Sequence, residues 1–477
     1  MRKFDTKVQY LKYMVLREVA RYAFDDNLVE CFIDIPNIIV PGKKPTMRCC
    51  IYKEKAIVNE RIKIAMGGDK TNPGIIEIID IACEECPVGG YAVTDACRGC
   101  IAHRCDSVCK KGAIYFDHLQ KAHIDKDKCV ECGQCAKVCP YSAIMNYKRP
   151  CEKACKVKAI SMTESHTVAI DSHRCISCGD CIYQCPFGAI SDKSFILQVV
   201  DLIKKSDNSR LYPLTAVVAP AIVSQFSYAK PGQVISGIKA LGFSRVVEAA
   251  LGADMVADAE ARELVEKGFL TSSCCPAFVG YVERQYPSLA GNISHNLSPM
   301  ATVGRYIKEN DPDTKVVFIG PCTAKKMEFQ KDEVKPFIDS VLTFEELQAL
   351  FDSRDIDITT LPETNLDDAS YFGRIFARSG GLTDAVRQAL AEQQVTNFDF
   401  NPLVCDGIDA CRMALSRASK GDFPHNFIEG MACTGGCIGG AGCLTHGEKN
   451  RNEVDRFGLE VREKTIRSVI DGLRNEE

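Results

Sequence analysis

The sequence predicts an α/β domain over residues 210–477, preceded by a small cysteine-rich α+β domain over 81–195 and an N-terminal α+β region, 1–80. Three observations carry this. Beyond residue 210, apolar runs that read as buried strands alternate with helical periodicity. Sixteen of the chain's 27 cysteines fall between Cys83 and Cys185. Those sixteen recur in a repeated spacing.

A chain of 477 residues has room for two or three domains with cores of their own. Its 46% hydrophobic and 26% charged content is ordinary for a globular protein. A net charge of −4 argues against a nucleic-acid binder, which is usually basic. No apolar run reaches the roughly 18 residues that span a bilayer, so no membrane role is expected. The segment Met1-Arg2-Lys3-Phe4-Asp5 opens a polar-apolar helical pattern without a signal peptide's apolar core, which predicts a cytoplasmic protein. Disulfides suit small secreted domains, whereas a long chain rich in Cys-x-x-Cys points to metal clusters in a reducing, anaerobic cell.

Within 1–80, Tyr10 to Ala23 has helical periodicity, and Arg48 to Ala65 alternates as a strand would before a Gly67-Gly68 turn. Cys31, Cys49 and Cys50 lack ligand spacing and read as buried structural thiols.

The cluster region is the most explicit. Cys129-x2-Cys132-x2-Cys135-x3-Cys139-Pro140 is a bacterial ferredoxin run, and Cys175-x2-Cys178-x2-Cys181-x3-Cys185-Pro186 repeats it. Cys97-x2-Cys100-x4-Cys105-x3-Cys109 is a stretched version, and Cys151-x3-Cys155 is the tail of a fourth. Each run leads into Ala-Ile, at Ala113, Ala143, Ala159 and Ala189. Such a run places three thiolates on one cubane and sends its fourth cysteine to a neighbouring cluster. One [4Fe–4S] cluster then takes Cys97, Cys100, Cys105 and Cys139, and its partner takes Cys129, Cys132, Cys135 and Cys109. A third takes Cys175, Cys178, Cys181 and Cys155. Cys151 and Cys185 remain, and joining them to Cys83 and Cys86 makes a fourth set. Lys137, Lys148, Arg149, Lys153, Lys156 and Lys158 read either as a solvated face or as a docking patch for an acidic electron carrier such as ferredoxin.

A polar interval from Lys204 to Arg210 separates this region from the α/β domain. There, Thr215 to Ile222 and Lys315 to Gly320 read as buried strands, and Ile408 to Ala418 as a helix. Chemistry gathers at three motifs: Thr271-Ser272-Ser273-Cys274-Cys275-Pro276, Pro321-Cys322-Thr323-Ala324-Lys325-Lys326, and Glu429-Gly430-Met431-Ala432-Cys433-Thr434-Gly435-Gly436-Cys437. Adjacent cysteines project in different directions, so one of Cys274 and Cys275 binds metal and the other stays free. With Cys322, Cys433 and Cys437 this gives the four thiolates of a [4Fe–4S] cluster.

Together the three motifs resemble the active-site signatures of [FeFe]-hydrogenases, over residues 210 to 460. The resemblance implies a two-lobed catalytic domain behind a ferredoxin-like one, catalysing 2 H⁺ + 2 e⁻ ⇌ H₂. It implies that Cys275, Cys322, Cys433 and Cys437 hold the cubane, with Cys437 shared with a two-iron unit carrying CO, cyanide and a bridging dithiolate. Lys325 would contact a cyanide, and Met431, Gly435 and Gly436 would flank the cofactor, glycine allowing close approach. Cys274 would pass protons to it, with Glu260, Ser294 and Glu263 leading to solvent. Ferredoxin and maturation proteins are the implied partners. Ser272, Ala277-Phe278, Gly320 and the Gly439–His446 stretch depart from the usual pattern and resemble a divergent branch, group B. A hydrogen sensor would bear an appended signalling domain, and none is read after Arg462. An iron–sulfur scaffold would keep the cubane cysteines alone and end in tryptophan, whereas this sequence has no tryptophan and ends Asn475-Glu476-Glu477.

Overall fold

The computed structural model describes residues 4–87, 89–462 and 465–475. Met1 to Lys3 and the closing Glu476-Glu477, which enter the expectations about the chain ends, lie outside the described residues.

The helix Lys7–Phe24 begins with a capping box. Gln9 donates its backbone N–H to Thr6 Oγ1 at 3.1 Å and accepts from Thr6 N at 3.2 Å. Its buried stripe of Leu11, Val15, Leu16 and Val19 packs on the helix Phe344–Ser353, inside the core of the α/β domain. The N-terminal region therefore shares that domain's core.

Residues 51–65 correct a sequence expectation. They form the helix Ile51–Ala65, where alternation suggested a strand. Two of its inward positions, Glu54 and Arg61, are charged, which disguised the helical stripe. Glu54 accepts from Thr46 N at 2.8 Å, and Arg61 donates to the carbonyl of Gly188 in the cluster domain. The expectation for the nearby thiols is also corrected, since Cys49 is exposed and Cys31 and Cys50 are only half-buried.

The cluster domain is built from short antiparallel ribbons. β1 (Ile76–Ile78) pairs with β8 (Ile190–Asp192), and β2 (Gly90–Val93) with β5 (Ile144–Tyr147). β3 (Ile114–Phe116) pairs with β4 (Ala122–Ile124), and β6 (Ile160–Met162) with β7 (Val168–Ile170). Four of these strands open at the Ala-Ile pairs, whose alanines are buried because the chain folds tightly over them.

The helix Ile196–Ser206 leads out of this domain, and Asp207, Asn208 and Ser209 follow with φ of +46°, +53° and +65°. Beyond lie two parallel sheets. The first runs β10 (Arg245–Glu248), β9 (Leu214–Val218), β12 (Lys315–Gly320), β13 (Ser340–Thr343). The second runs β11 (Leu270–Thr271), β15 (Phe427–Met431), β14 (Pro402–Asp406). β9 and β15 are buried throughout, as parallel strands covered on both faces are. β9 stops at Val218, short of Ile222, because Pro220 opens a short turn that cannot join the ladder.

One buried charge network locks the parts together. Lys326 is fully buried and donates to Asp192 at the end of β8 at 2.7 Å and to Glu346 at 2.8 Å. Lys12 of the first helix bonds Asp192 and Glu345, each at 2.6 Å. The Pro-Cys-Thr motif, the cluster domain and the N-terminal helix thus meet at four side chains and Lys12.

Candidate active site

The three motifs lie at the carboxyl ends of strands, where open parallel sheets place their ligand sites. Cys274 and Cys275 follow β11, Cys322 follows β12, and Cys433 and Cys437 follow β15. Cys275, Cys322, Cys433 and Cys437 come from both sheets and sit close enough for their charges to act on one another. Burial pushes the Cys322 thiol up to about 11 and Cys437 up to about 12. Thiolates buried together need a metal core to carry their charge, and a bound metal deprotonates them outright. The donor set therefore fits a [4Fe–4S] cubane.

Cys274 stands apart from this set. Its thiol is buried, with Glu260, Cys275 and Cys437 nearby, and Lys325 Nζ lies 3.5 Å from its carbonyl. Burial works against the Lys325 ammonium, but Glu328 at 2.6 Å outweighs it and holds the lysine charged. A buried cation and a free thiol beside Cys437 are the groups that a two-iron unit with anionic ligands would meet.

Behind Cys274 a polar line runs to the surface. Ser273 N and Oγ donate to Glu260 Oε1 at 3.2 and 3.3 Å. Glu260 is fully buried on the helix Ala249–Lys267, and burial pushes its carboxyl up to about 7. Its Oε2 has no hydrogen-bond partner, although the Ser294 hydroxyl is close enough to favour the ionised form. Ser294 Oγ donates to Glu263 Oε2 at 2.9 Å. Burial would raise Glu263, but Lys267 at 2.7 Å and the His295 N–H outweigh it and hold it below the usual range. His295 is 77% exposed, so the line ends in water.

The departures from the family pattern have physical causes. A Cβ on Gly320 would stand 2.6 Å from the Phe318 ring, so Phe318 fills the space a larger side chain would take. Ser272 Oγ accepts from Gly430 N at 3.1 Å, and the Phe278 ring lies on the Gly430 backbone. The glycines expected to admit a cofactor are required first by the chain itself. Gly436 has φ +86°, and a Cβ there would stand 2.6 Å from Ser379 N. Met431 is buried at the end of β15, and its carbonyl accepts from Gly407 N at 2.9 Å. Cys405, Cys411 and Cys443 are buried.

In the cluster domain the structure brings the cysteines of each predicted set near one another, Cys132 apart. Cys97, Cys100, Cys105 and Cys139 line one cavity, and Cys83, Cys86, Cys151 and Cys185 line another. Cys135 lies by Cys129 and Cys109, and Cys181 by Cys178, Cys175 and Cys155. Cys132 is exposed.

One local device recurs four times. Gly112, Ser142, Lys158 and Gly188 take left-handed φ of +57°, +49°, +54° and +59°. Each turns the chain so that the next alanine N–H donates to the cysteine four residues back: Cys109, Cys139, Cys155 and Cys185, at 3.2–3.3 Å. Cys151-x3-Cys155 is thus a true member of the repeat.

The third set abuts the active site. Thr323 Oγ1 donates to Ser177 O at 2.7 Å, Arg284 bonds the Cys175 carbonyl, and Cys433 feels the charge of Cys178. The basic patch is corrected at Arg149, which is buried with its guanidinium on Cys83, whereas Lys156 is exposed and paired with Asp409 at 2.9 Å.

Comparison with known proteins agrees with this geometry. Residues 212–441 match the family model described as iron only hydrogenase large subunit, C-terminal domain. Residues 122–145 match a 4Fe-4S binding domain, and 149–189 a 4Fe-4S dicluster domain. Residues 212–441, just under half of this chain, are thus similar to the C-terminal domain of iron only hydrogenase large subunits, and segments similar to 4Fe-4S binding domains precede them. Iron hydrogenase 1 of Clostridium pasteurianum is 28% identical over 322 residues, 56% of this chain and 55% of that protein. Cytosolic Fe-S cluster assembly factor NAR1 of Botryotinia fuckeliana is 34% identical over 142 residues, 25% of each chain. A variant of [FeFe]-hydrogenase HydA1 from Chlamydomonas reinhardtii aligns over 59% of this chain and 93% of its own, at 20% identity and a TM-score of 0.48. The chain spans 55%, 56% and 62% of the lengths of three curated hydrogenase relatives. Among the described residues no helix is long and apolar enough to cross a membrane.

Proposed function

We propose that this protein is an [FeFe]-hydrogenase that interconverts protons, electrons and hydrogen, with electrons passing through four accessory [4Fe–4S] clusters to or from ferredoxin or a similar carrier. Cys275, Cys322, Cys433 and Cys437 would hold the cubane. Cys437 would be shared with the two-iron unit, which maturation proteins would insert, and Lys325 would hold its cyanide. When bound, that unit supplies the metal on which hydrogen is made or split. The chain's own part is to exclude water, hold the unit and move protons.

The observation that carries this reading is the line from Cys274 through Ser273, Glu260 and Ser294 to Glu263. A scaffold that carried only a cubane would have no use for a buried thiol, a buried ammonium and a carboxyl near neutrality joined to the surface. A carboxyl near 7 can both take and give a proton at cellular pH. The alternative, an iron–sulfur assembly factor, is supported by the 34% identity to NAR1 over a quarter of each chain. The two readings separate on hydrogen turnover by anaerobically matured protein with a reduced viologen dye. The parent is expected to evolve hydrogen, and Cys274→Ala to keep its iron while losing about 10²–10⁴-fold in rate. Parent protein with full iron content and no turnover would favour the assembly factor.

A further inference from the structure

Arg149 looks like one of a row of surface cations in sequence, yet it is 2% exposed. Its guanidinium faces the cavity lined by Cys83, Cys86, Cys151 and Cys185. Nη1 donates to Cys83 Sγ at 3.3 Å, and Nη2 to the carbonyls of Cys86 at 3.0 Å and His166 at 2.7 Å. Nε donates to Pro87 O at 3.2 Å. Among the described residues no carboxylate pairs with this guanidinium. Its partners are three neutral carbonyls and one sulfur. A buried arginine is usually matched by an acid; the acid at this site, Glu152, accepts from the Arg149 backbone N–H at 3.2 Å and not from the guanidinium.

We infer that Arg149 sets the reduction potential of the cluster held by Cys83, Cys86, Cys151 and Cys185, by placing a buried guanidinium in hydrogen-bond contact with one of its thiolates. This rests on the fourth-cluster reading above. A cubane with four thiolates is a net anion, and it gains a further negative charge when it takes one electron. A fixed cation beside it favours the reduced state, and net charge and hydrogen bonds to sulfur are the levers that set such potentials. No atoms move in the step. One electron arrives from a neighbouring cluster and one leaves to the next.

Position makes the potential matter. The β2–β5 ribbon starts beside the first cavity, at Val93 and Ile144, and ends at Gly90 and Tyr147, a few residues in sequence from Cys86 and from Cys151. On the other side Cys151 lies within the field of Cys181 in the third set. The fourth cluster therefore sits between the outer pair and the cluster that abuts the active site. Raising its potential makes it the place where an electron waits.

The test is a redox titration followed by electron paramagnetic resonance on the full, anaerobically reconstituted chain, with iron assayed in parallel. The signal of this cluster is the one that disappears in Cys83→Ser, Cys86→Ser. At the parent midpoint, Arg149→Gln should keep its iron and lower the reduced-to-oxidised ratio about tenfold or more, which is 59 mV for one electron. Arg149→Lys keeps the charge but loses the fork, so it should shift the same way by less. An Arg149→Gln protein with full iron and the parent potential would overturn the inference. If Arg149→Gln sheds iron, Arg149→Lys decides: a downward shift supports the tuning role and the parent potential overturns it. Loss of iron from both would make Arg149 part of the cluster's scaffold and also overturn it. A parent chain whose iron does not fall in the double cysteine variant refutes the fourth cluster itself.

Discussion

The cluster domain and the α/β domain hold cysteines in opposite ways. In the first, sets are assembled by loops of a few residues, with a left-handed residue and an alanine N–H fixing each fourth cysteine. In the second, Cys275, Cys322 and Cys433 stand at the ends of strands in two different sheets, far apart in sequence. A local device can fail alone. A site hung between two sheets fails when their mutual placement fails, so damage should be modular in one region and global in the other.

The largest effect expected from this contrast is at Lys326, which contacts no predicted ligand. Lys326→Met leaves Glu346 and part of Asp192 buried without their cation. Removing one partner of a buried pair typically costs about 3–5 kcal/mol. Anaerobic denaturant unfolding should show that loss, with weakened retention of the active-site cubane. A variant as stable as the parent would mean that the network does not couple the regions.

Next in size is the modular counterpart. Cys83→Ser, Cys86→Ser should lose about four irons per chain while the remaining clusters and the fold persist. Loss of every cluster together would break the contrast, because it would make the outer domain as cooperative as the inner.

A smaller and pH-dependent effect belongs to Glu260. Its carboxyl is raised by burial to about 7 in the fold, from 4.5. Between those values the folded state binds more protons than the unfolded state, so this group's contribution falls as pH rises. Its contribution is fully present below pH 4.5 and lost as pH passes 7. Glu260→Gln should remove that slope, worth about 3 kcal/mol over the window. Stability measured at pH 5, 6, 7 and 8 in both proteins checks the sign, and parallel curves would show that Glu260 is not held protonated.

The same contrast explains what could be read in advance. The repeated cysteine runs were legible because ligand spacing is a local property, and the Ala-Ile pairs that marked the repeat prove to open strands. β12 and the helix Ile408–Ala418 were legible from their apolar patterns. The helix Ile51–Ala65 was not, because Glu54 and Arg61 sit inward on hydrogen bonds that only the folded chain supplies. Arg149 was hidden for the same reason. Its three carbonyls and one sulfur come from separate segments, so the chain alone shows a cation among lysines. The role of the first helix was invisible too, since its partner, Phe344–Ser353, lies more than 300 residues on.

The central proposal is that Cys274, Lys325 and Cys437 together receive a two-iron unit and do not serve a cubane alone. Infrared spectroscopy of the anaerobically matured chain tests it most directly. Bands of iron-bound CO and cyanide are expected, with the cyanide bands moved or weakened in Lys325→Ala. A chain carrying its full complement of [4Fe–4S] iron but showing no such bands would contradict it.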